Sequence, residues 1–311
     1  MLHSPLGHTP LTATVLMPTT AGHAPFLPFS VASVLSQNVT GLELFILGDG
    51  VDDAGRRQIK ALQEQDERIR FFDHPKHVSR GEPHRHRALQ QARGAIVCYI
   101  CDRDFWLPDH LQRMQRLLQD ADFSHSLPLH ILPDGILGIF SVDLARSEYR
   151  DRVLNQGNRI PLSCAAHTLS MYQRLQEGWN TTPPGTFTDW HMFRKFLADP
   201  TCRCNSGSYP SALTFPTPPR REMGWDAAHR LIELNDWQAR IATPEGRTRV
   251  VAEILMHALL VLEPFLLPAA RRSLEEVLTT AQIGLKMSCK GRLFVREVMT
   301  LFHQVKQRCS P

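Results

Sequence analysis

The chain has 311 residues, 42% of them hydrophobic and 21% charged, a globular balance that excludes wholesale disorder, collagen and coiled coil. Its 35 Lys and Arg against 31 Asp and Glu leave a net charge of +4, without the concentrated basic patch of a nucleic-acid binder. No apolar run reaches the ~20 residues of a membrane span, and the first residues lack the cationic start and apolar core of a signal peptide, so a soluble, cytoplasmic protein is expected.

The first half alternates apolar strands with helices. Thr14–Met17 is a short apolar run ended by Pro18, and the segment from Phe29 to Gln37 reads as a helix with Pro28 at its entry. Leu44–Leu47 is a second strand, stopped by Gly48-Asp49-Gly50. Asp52 or Asp53 then caps a helix carrying Ile59 and Leu62. Ile69–Phe72 is a third strand and His84–Ala92 a third helix, closed by Gly94. Ala95–Cys101 is the clearest strand, followed by Asp102-Arg103-Asp104 and a helix opened by Pro108. Apolar strands separated by helices predict an α/β fold with a mostly parallel sheet flanked by helices.

From about 120 to 220 the pattern is less regular. A strand is expected over 135–140 and helices over 165–175 and 189–197. Beyond Arg221 the strand signal fades, and helical periodicity runs over 226–241, 248–262, 268–282 and 291–307. The expected organisation is therefore an α/β domain over 1–220, the catalytic one once the family resemblance below is read in, and a helical C-terminal subdomain over 221–311. The seven cysteines form no secreted disulfide framework. Cys98 and Cys101, inside an apolar strand, read as core thiols.

In doubly wound sheets, ligands bind beyond the carboxyl ends of the strands. Three polar clusters fall at those ends: Pro18-Thr19-Thr20, Asp49-Gly50, and Asp102-Arg103-Asp104. Two carboxylates one residue apart in a turn can hold Mg²⁺ or Mn²⁺ against a diphosphate. Asp49 is placed to accept hydrogen bonds from a nucleobase or ribose. Lys76, Arg80, Arg85 and Arg87, in a histidine-rich stretch, can neutralise phosphates. Walker A, G-x-G-x-x-G and G-x-S-x-G motifs are absent.

With these residues in place, the N-terminal part resembles the family-2 bacterial glycosyltransferases of GT-A fold. Thr14-Val-Leu-Met-Pro-Thr19 resembles the opening strand, Ser33-Val-Leu-Ser-Gln37 the "S-V-L-x-Q" helix, and Leu47–Asp53 the "D-D-G-S-x-D" turn. Arg87–Gly94 resembles the "N-x-A-L-x-x-A-x-G" helix, and Asp102–Leu111 resembles "D-D-D-D-x-W-x-P-x-x-L". The resemblance implies a non-processive, hexosyltransferase-type enzyme. It would use inverting chemistry to move a sugar from a nucleotide-diphospho-sugar, a UDP-sugar first of all, to a glycan, lipid or protein hydroxyl. It implies donor contacts from Pro18, Thr19, Thr20, Asp49, Arg87, Asp102, Arg103 and Asp104, with Mn²⁺ or Mg²⁺ held by Asp102 and Asp104. Thr188-Asp189-Trp190-His191 resembles the family's downstream base element. That match implies Asp189 as general base, kept ionised by its helix dipole, with His167, Trp179, Trp190 and His191 on the acceptor side. A sugar-nucleotide nucleotidyltransferase and a non-catalytic nucleotide-sugar-binding module are the alternatives, and the C-terminal helices offer a route to a homo-oligomer. Departures are Thr20 in place of an aromatic, Gly48 in place of Asp, and His86 in place of Asn.

Overall fold

The computed structural model describes residues 11–261 together with Glu276. Strands β1 (Leu11–Thr20), β2 (Leu42–Asp49), β3 (Ile69–His74) and β4 (Gly94–Tyr99) alternate with helices α1 (Leu27–Leu35), α2 (Asp53–Gln65) and α3 (Glu82–Leu89). All eight residues of β2 are buried, as a strand covered on both faces requires. Helix α2 is capped by Asp52, which accepts the Gly55 N–H at 2.7 Å; of the two aspartates named from sequence, Asp52 does the capping. Gly94 opens β4 and does not close α3. A Cβ there would lie 2.1 Å from the Thr14 nitrogen, so only glycine lets β4 approach β1 this closely.

The remaining strands are β5 (Phe105–Trp106), β6 (Phe123–His125), β7 (Leu129–Ile131), β8 (Leu137–Ile139), β9 (Ala165–Thr168) and β10 (Ala212–Leu213). The main sheet has the order β3-β2-β1-β4-β9-β6. Its first four strands are parallel, β9 runs antiparallel to β4, and β6 runs antiparallel to β9. The helix expected over 165–175 is thus half strand. Ala166–Thr168 pair with Ile96–Cys98, and only Leu169–Arg174 are helical, because the ladder position beside β4 outweighs local helical periodicity.

Helices α4 (His110–Leu117), α5 (Ser147–Asn155), α6 (Leu169–Arg174) and α7 (Thr188–Ala198) cover the sheet, and α8 (Thr217–Glu222), α9 (Ala227–Ile241) and α10 (Pro244–Val261) follow. The last two are not packed apart from the rest. Leu234, Trp237, Val251 and Leu255 share one hydrophobic cluster with Phe26, Phe105, Leu129 and Phe215. The helices expected over 268–282 and 291–307 lie, except for Glu276, outside the described residues.

Candidate active site

The register brings the polar strand ends together. Thr19 and Thr20 stand beside Gly48 and Asp49, and the Thr20 hydroxyl donates to the Asp49 carbonyl at 2.9 Å. After Asp49 the chain turns through Gly50 at φ +69°, a left-handed conformation that favours glycine. The Asp49 carboxylate is buried among its partners. It accepts the His77 N–H at 2.6 Å and the Lys76 ammonium.

Helix α3 carries the next groups. Glu82, at its first turn, accepts from the Ser79 hydroxyl at 2.9 Å and the Arg80 N–H at 3.0 Å. Burial opposes its charge, yet these bonds and others hold it at about 2. Arg85 is buried with its guanidinium 4.6 Å from the Trp179 ring centroid, and its Nε has no protein acceptor. It lies within electrostatic reach of Glu82, Cys101 and Asp189, and so links the end of β4 to the start of α7. Arg87, two residues on, is exposed and faces away from this cluster, since positions two apart on a helix diverge. The guanidinium that enters the site is Arg85.

The two carboxylates after β4 have different surroundings. Asp102 accepts His23 Nδ1 at 2.8 Å on one oxygen and Arg103 Nη1 at 2.9 Å on the other. Burial works to raise its pKa, but His23 and Arg103 outweigh that and hold the carboxyl below its ordinary value. Asp104 is 4% exposed. It accepts the Ser163 hydroxyl on one oxygen and the Phe215 N–H, at 2.8 Å, on the other, and burial pushes its pKa up. It ties the turn to the segment after β10.

A hard divalent cation needs several free oxygens at about 2.0–2.6 Å. Here all four carboxylate oxygens of the pair already accept hydrogen bonds, and Asp104 is walled in. Among the described residues, no three His, Cys, Asp or Glu side chains gather to hold a metal. The expected cation site at Asp102 and Asp104 therefore does not fit this arrangement. Arg103, between them, keeps its charge: burial opposes it, but Asp102 and Asp104 raise its pKa.

Asp189 sits half-buried in the first turn of α7, with Oδ1 accepting the Trp190 N–H at 3.0 Å. The helix start favours its ionised form, but burial dominates and raises its pKa despite Trp190, Arg85 and Arg80. A carboxylate so placed is the stronger proton acceptor. His191 bonds Asn180 Oδ1 at 2.9 Å, and Trp190 donates to the Val153 carbonyl. Two residues expected on the acceptor side are instead internal. His167 is fully buried in β9, with Tyr99 Oη at 2.8 Å and the Thr168 carbonyl at 2.9 Å as partners. Trp179 is buried, donates to Tyr99 Oη at 3.0 Å and forms the floor under Arg85. A cavity of about 550 Å³ opens beside Trp179, lined by His86, Leu89, Tyr172, Glu177 and Asn180 among others. Its lining includes none of Asp49, Asp102 or Asp189.

Two supporting side chains carry no distinct sequence signal. Ser163 meets Asp104 from 59 positions away. Arg230 of α9 donates to the carbonyl of Phe215, whose N–H holds Asp104. His23 is more accessible to reasoning, as a titratable side chain in the loop that leaves β1.

Residues 14–175, just over half of the chain, match the family model described as Glycosyl transferase family 2. Among solved structures, residues 1–349 of S. aureus TarS in complex with UDP-GlcNAc superpose with a TM-score of 0.53 at 13% identity, over 94% of this chain and 88% of that one. A longer S. aureus TarS structure gives 0.51 at 12% identity over 95% of this chain and 54% of that one, so the chain spans about half its length. The mannosyltransferase PcManGT from Pyrobaculum calidifontis, in complex with GDP-Man and Mn²⁺, gives 0.47 at 16% identity over 96% and 88%. At these identities the likeness is one of fold.

Proposed function

The chain belongs to glycosyl transferase family 2 and has the GT-A fold, and from that premise we propose that it is an inverting, non-processive glycosyltransferase using a UDP-sugar donor. The observation that carries the reading is that Asp49 ends β2 and Asp102 follows β4 at the carboxyl edge of the sheet, with Arg85 within electrostatic reach of Cys101 and of Asp189 at the start of α7. That edge is the crevice where doubly wound sheets bind nucleotides.

In this reading Asp49 and the Lys76–His77 loop receive the base and ribose. Asp102, fixed by His23 and Arg103, receives the ribose or the sugar, and Arg85 receives the diphosphate, for which a guanidinium fork is suited. Asp189 removes the acceptor hydroxyl proton as the new glycosidic bond forms on the face opposite the departing diphosphate. The UDP preference is drawn from the TarS structures, which bind UDP-GlcNAc and UDP. A nucleotidyltransferase would favour Lys or Arg in the loop after β1, and Thr19–His23 contains neither.

A thermal-shift panel of UDP-, GDP- and dTDP-sugars tests this on the full chain. A UDP-sugar at 100 times its Kd stabilises the folded state by about 2.7 kcal/mol, and Asp49→Ala should remove most of that shift. A panel in which no nucleotide sugar moves the melting temperature overturns the proposal.

A further inference from the structure

We infer that Arg103 takes the place of a divalent cation in this site, so that a guanidinium of the chain itself receives the charge of the departing diphosphate. The inference rests on the nucleotide-sugar reading of the same crevice.

Four observations carry it. Both Asp104 oxygens are bound by Ser163 and Phe215, inside the protein. Both Asp102 oxygens are bound by His23 and Arg103. Arg103 commits one donor, Nη1, to Asp102, while its buried Nε has no protein acceptor, and a side chain still 21% exposed can meet a ligand. Finally, the motif carries the substitution itself. Aligned on Trp106 and Pro108, the run of four acids in "D-D-D-D-x-W-x-P" becomes Cys101-Asp102-Arg103-Asp104. Two acids are gone, and one of them is replaced by a fixed cation.

The physical consequences run together. A guanidinium between the two carboxylates repels a divalent ion that would settle there. It also offers planar, paired donors that match phosphate oxygens. The transfer balances without an ion. The bond from the sugar C1 to the diphosphate oxygen breaks, and its electron pair leaves with the nucleoside diphosphate, whose added negative charge Arg103 and Arg85 receive. The acceptor oxygen forms the new bond to C1, and its proton passes to Asp189.

The experiment titrates the full chain with UDP and with GDP, first in EDTA and then in excess Mn²⁺. The expected result is a Kd for the preferred nucleotide that agrees within about twofold between the two conditions. In EDTA, Arg103→Ala should weaken binding about 10–100-fold, the range of a lost charge-assisted hydrogen bond. Arg103→Lys, which keeps the charge, should recover part of the loss. Arg103→Asp should bind only when Mn²⁺ is present. Melting temperatures close to wild type certify that each variant is folded, and Arg103→Gln replaces any that is not. Wild-type binding that is lost in EDTA and restored more than tenfold by Mn²⁺ overturns the inference, as does Arg103→Ala binding like wild type in EDTA. If neither nucleotide binds in either condition, the donor-site reading fails and this inference fails with it.

Discussion

The carboxyl edge of the sheet and the segment from Ser163 to Arg230 contribute to one site in different ways. The edge supplies Asp49, Arg85, Asp102 and Arg103, groups suited to a ligand. The later segment supplies Ser163, the Phe215 backbone and Arg230, groups whose partners are protein. The Asp102-Arg103-Asp104 turn lies where the two regions meet, and its carboxylates divide between them. Asp102 stays with the edge, whereas Asp104 is held by Ser163 and Phe215. On the proposed reading, a motif of two acids therefore contains one group for chemistry and one for architecture. Arg230 extends the second role into α9, where Glu233 also binds Arg220, so the helices after residue 220 are anchored to the motif.

Removing the helices after residue 220 should have the largest effect. A fragment of residues 1–220 loses the Leu234, Trp237 and Val251 side of the shared cluster and leaves Phe105, Leu129 and Phe215 uncovered. An exposed patch of that kind drives aggregation. The fragment is expected to be insoluble or to lack a cooperative unfolding transition, and a soluble fragment with a sharp transition would restore an independent 1–220 domain.

The turn itself gives the next largest effect. Asp104→Ala strands the Ser163 hydroxyl and the Phe215 N–H in the interior, which should cost about 2–4 kcal/mol in urea unfolding. Asp102→Ala should cost less stability and more nucleotide affinity. Equal stability losses in the two variants would erase the division between the carboxylates.

Much of the first region was legible because its chemistry sits at the ends of unambiguous apolar strands. β2 and β4 are buried almost throughout, and a strand that stops at Asp49 or before Asp102 announces where its ligand-facing groups fall. The second region was not legible, since Ser163 and Phe215 act across 59 and 111 positions. No local pattern distinguishes a serine that will meet Asp104 from any other. The same limit explains His167. Its segment has helical periodicity, but the vacant place beside β4 makes it a strand and turns the side chain inward. Arg85 and Arg87 both lie in the phosphate-neutralising stretch and the family match named Arg87, but the rotation of α3 buries Arg85 and leaves Arg87 exposed.

A pH dependence of the packed region is expected as well. Burial lowers His125 and His167 to about 4 and His110 to about 3. The unfolded chain binds these protons near 6.5 while the native state refuses them. Their contribution to stability is thus complete above about pH 6.5 and is lost as the pH falls toward 4, by roughly 1.4 kcal/mol per unit for each histidine fully engaged. Glu82, held at about 2 against an ordinary 4.5, adds a second loss below pH 4.5, with the same sign. Urea midpoints should fall steadily from pH 7 to 4, and a flat profile would mean that these histidines titrate freely.

Asp189 bears most directly on the account as a whole, because it is where the sheet edge and a later helix would act on one reaction. The measurement is release of UDP from a UDP-sugar in the presence of an acceptor, for wild type and Asp189→Asn, with UDP affinity determined in parallel. Loss of a general base slows transfer about 10²–10⁴-fold, while the amide preserves shape and the nucleotide is held elsewhere. The expected result is unchanged UDP affinity with turnover reduced by that factor. Near-normal turnover by Asp189→Asn would contradict the account and place the base on another residue.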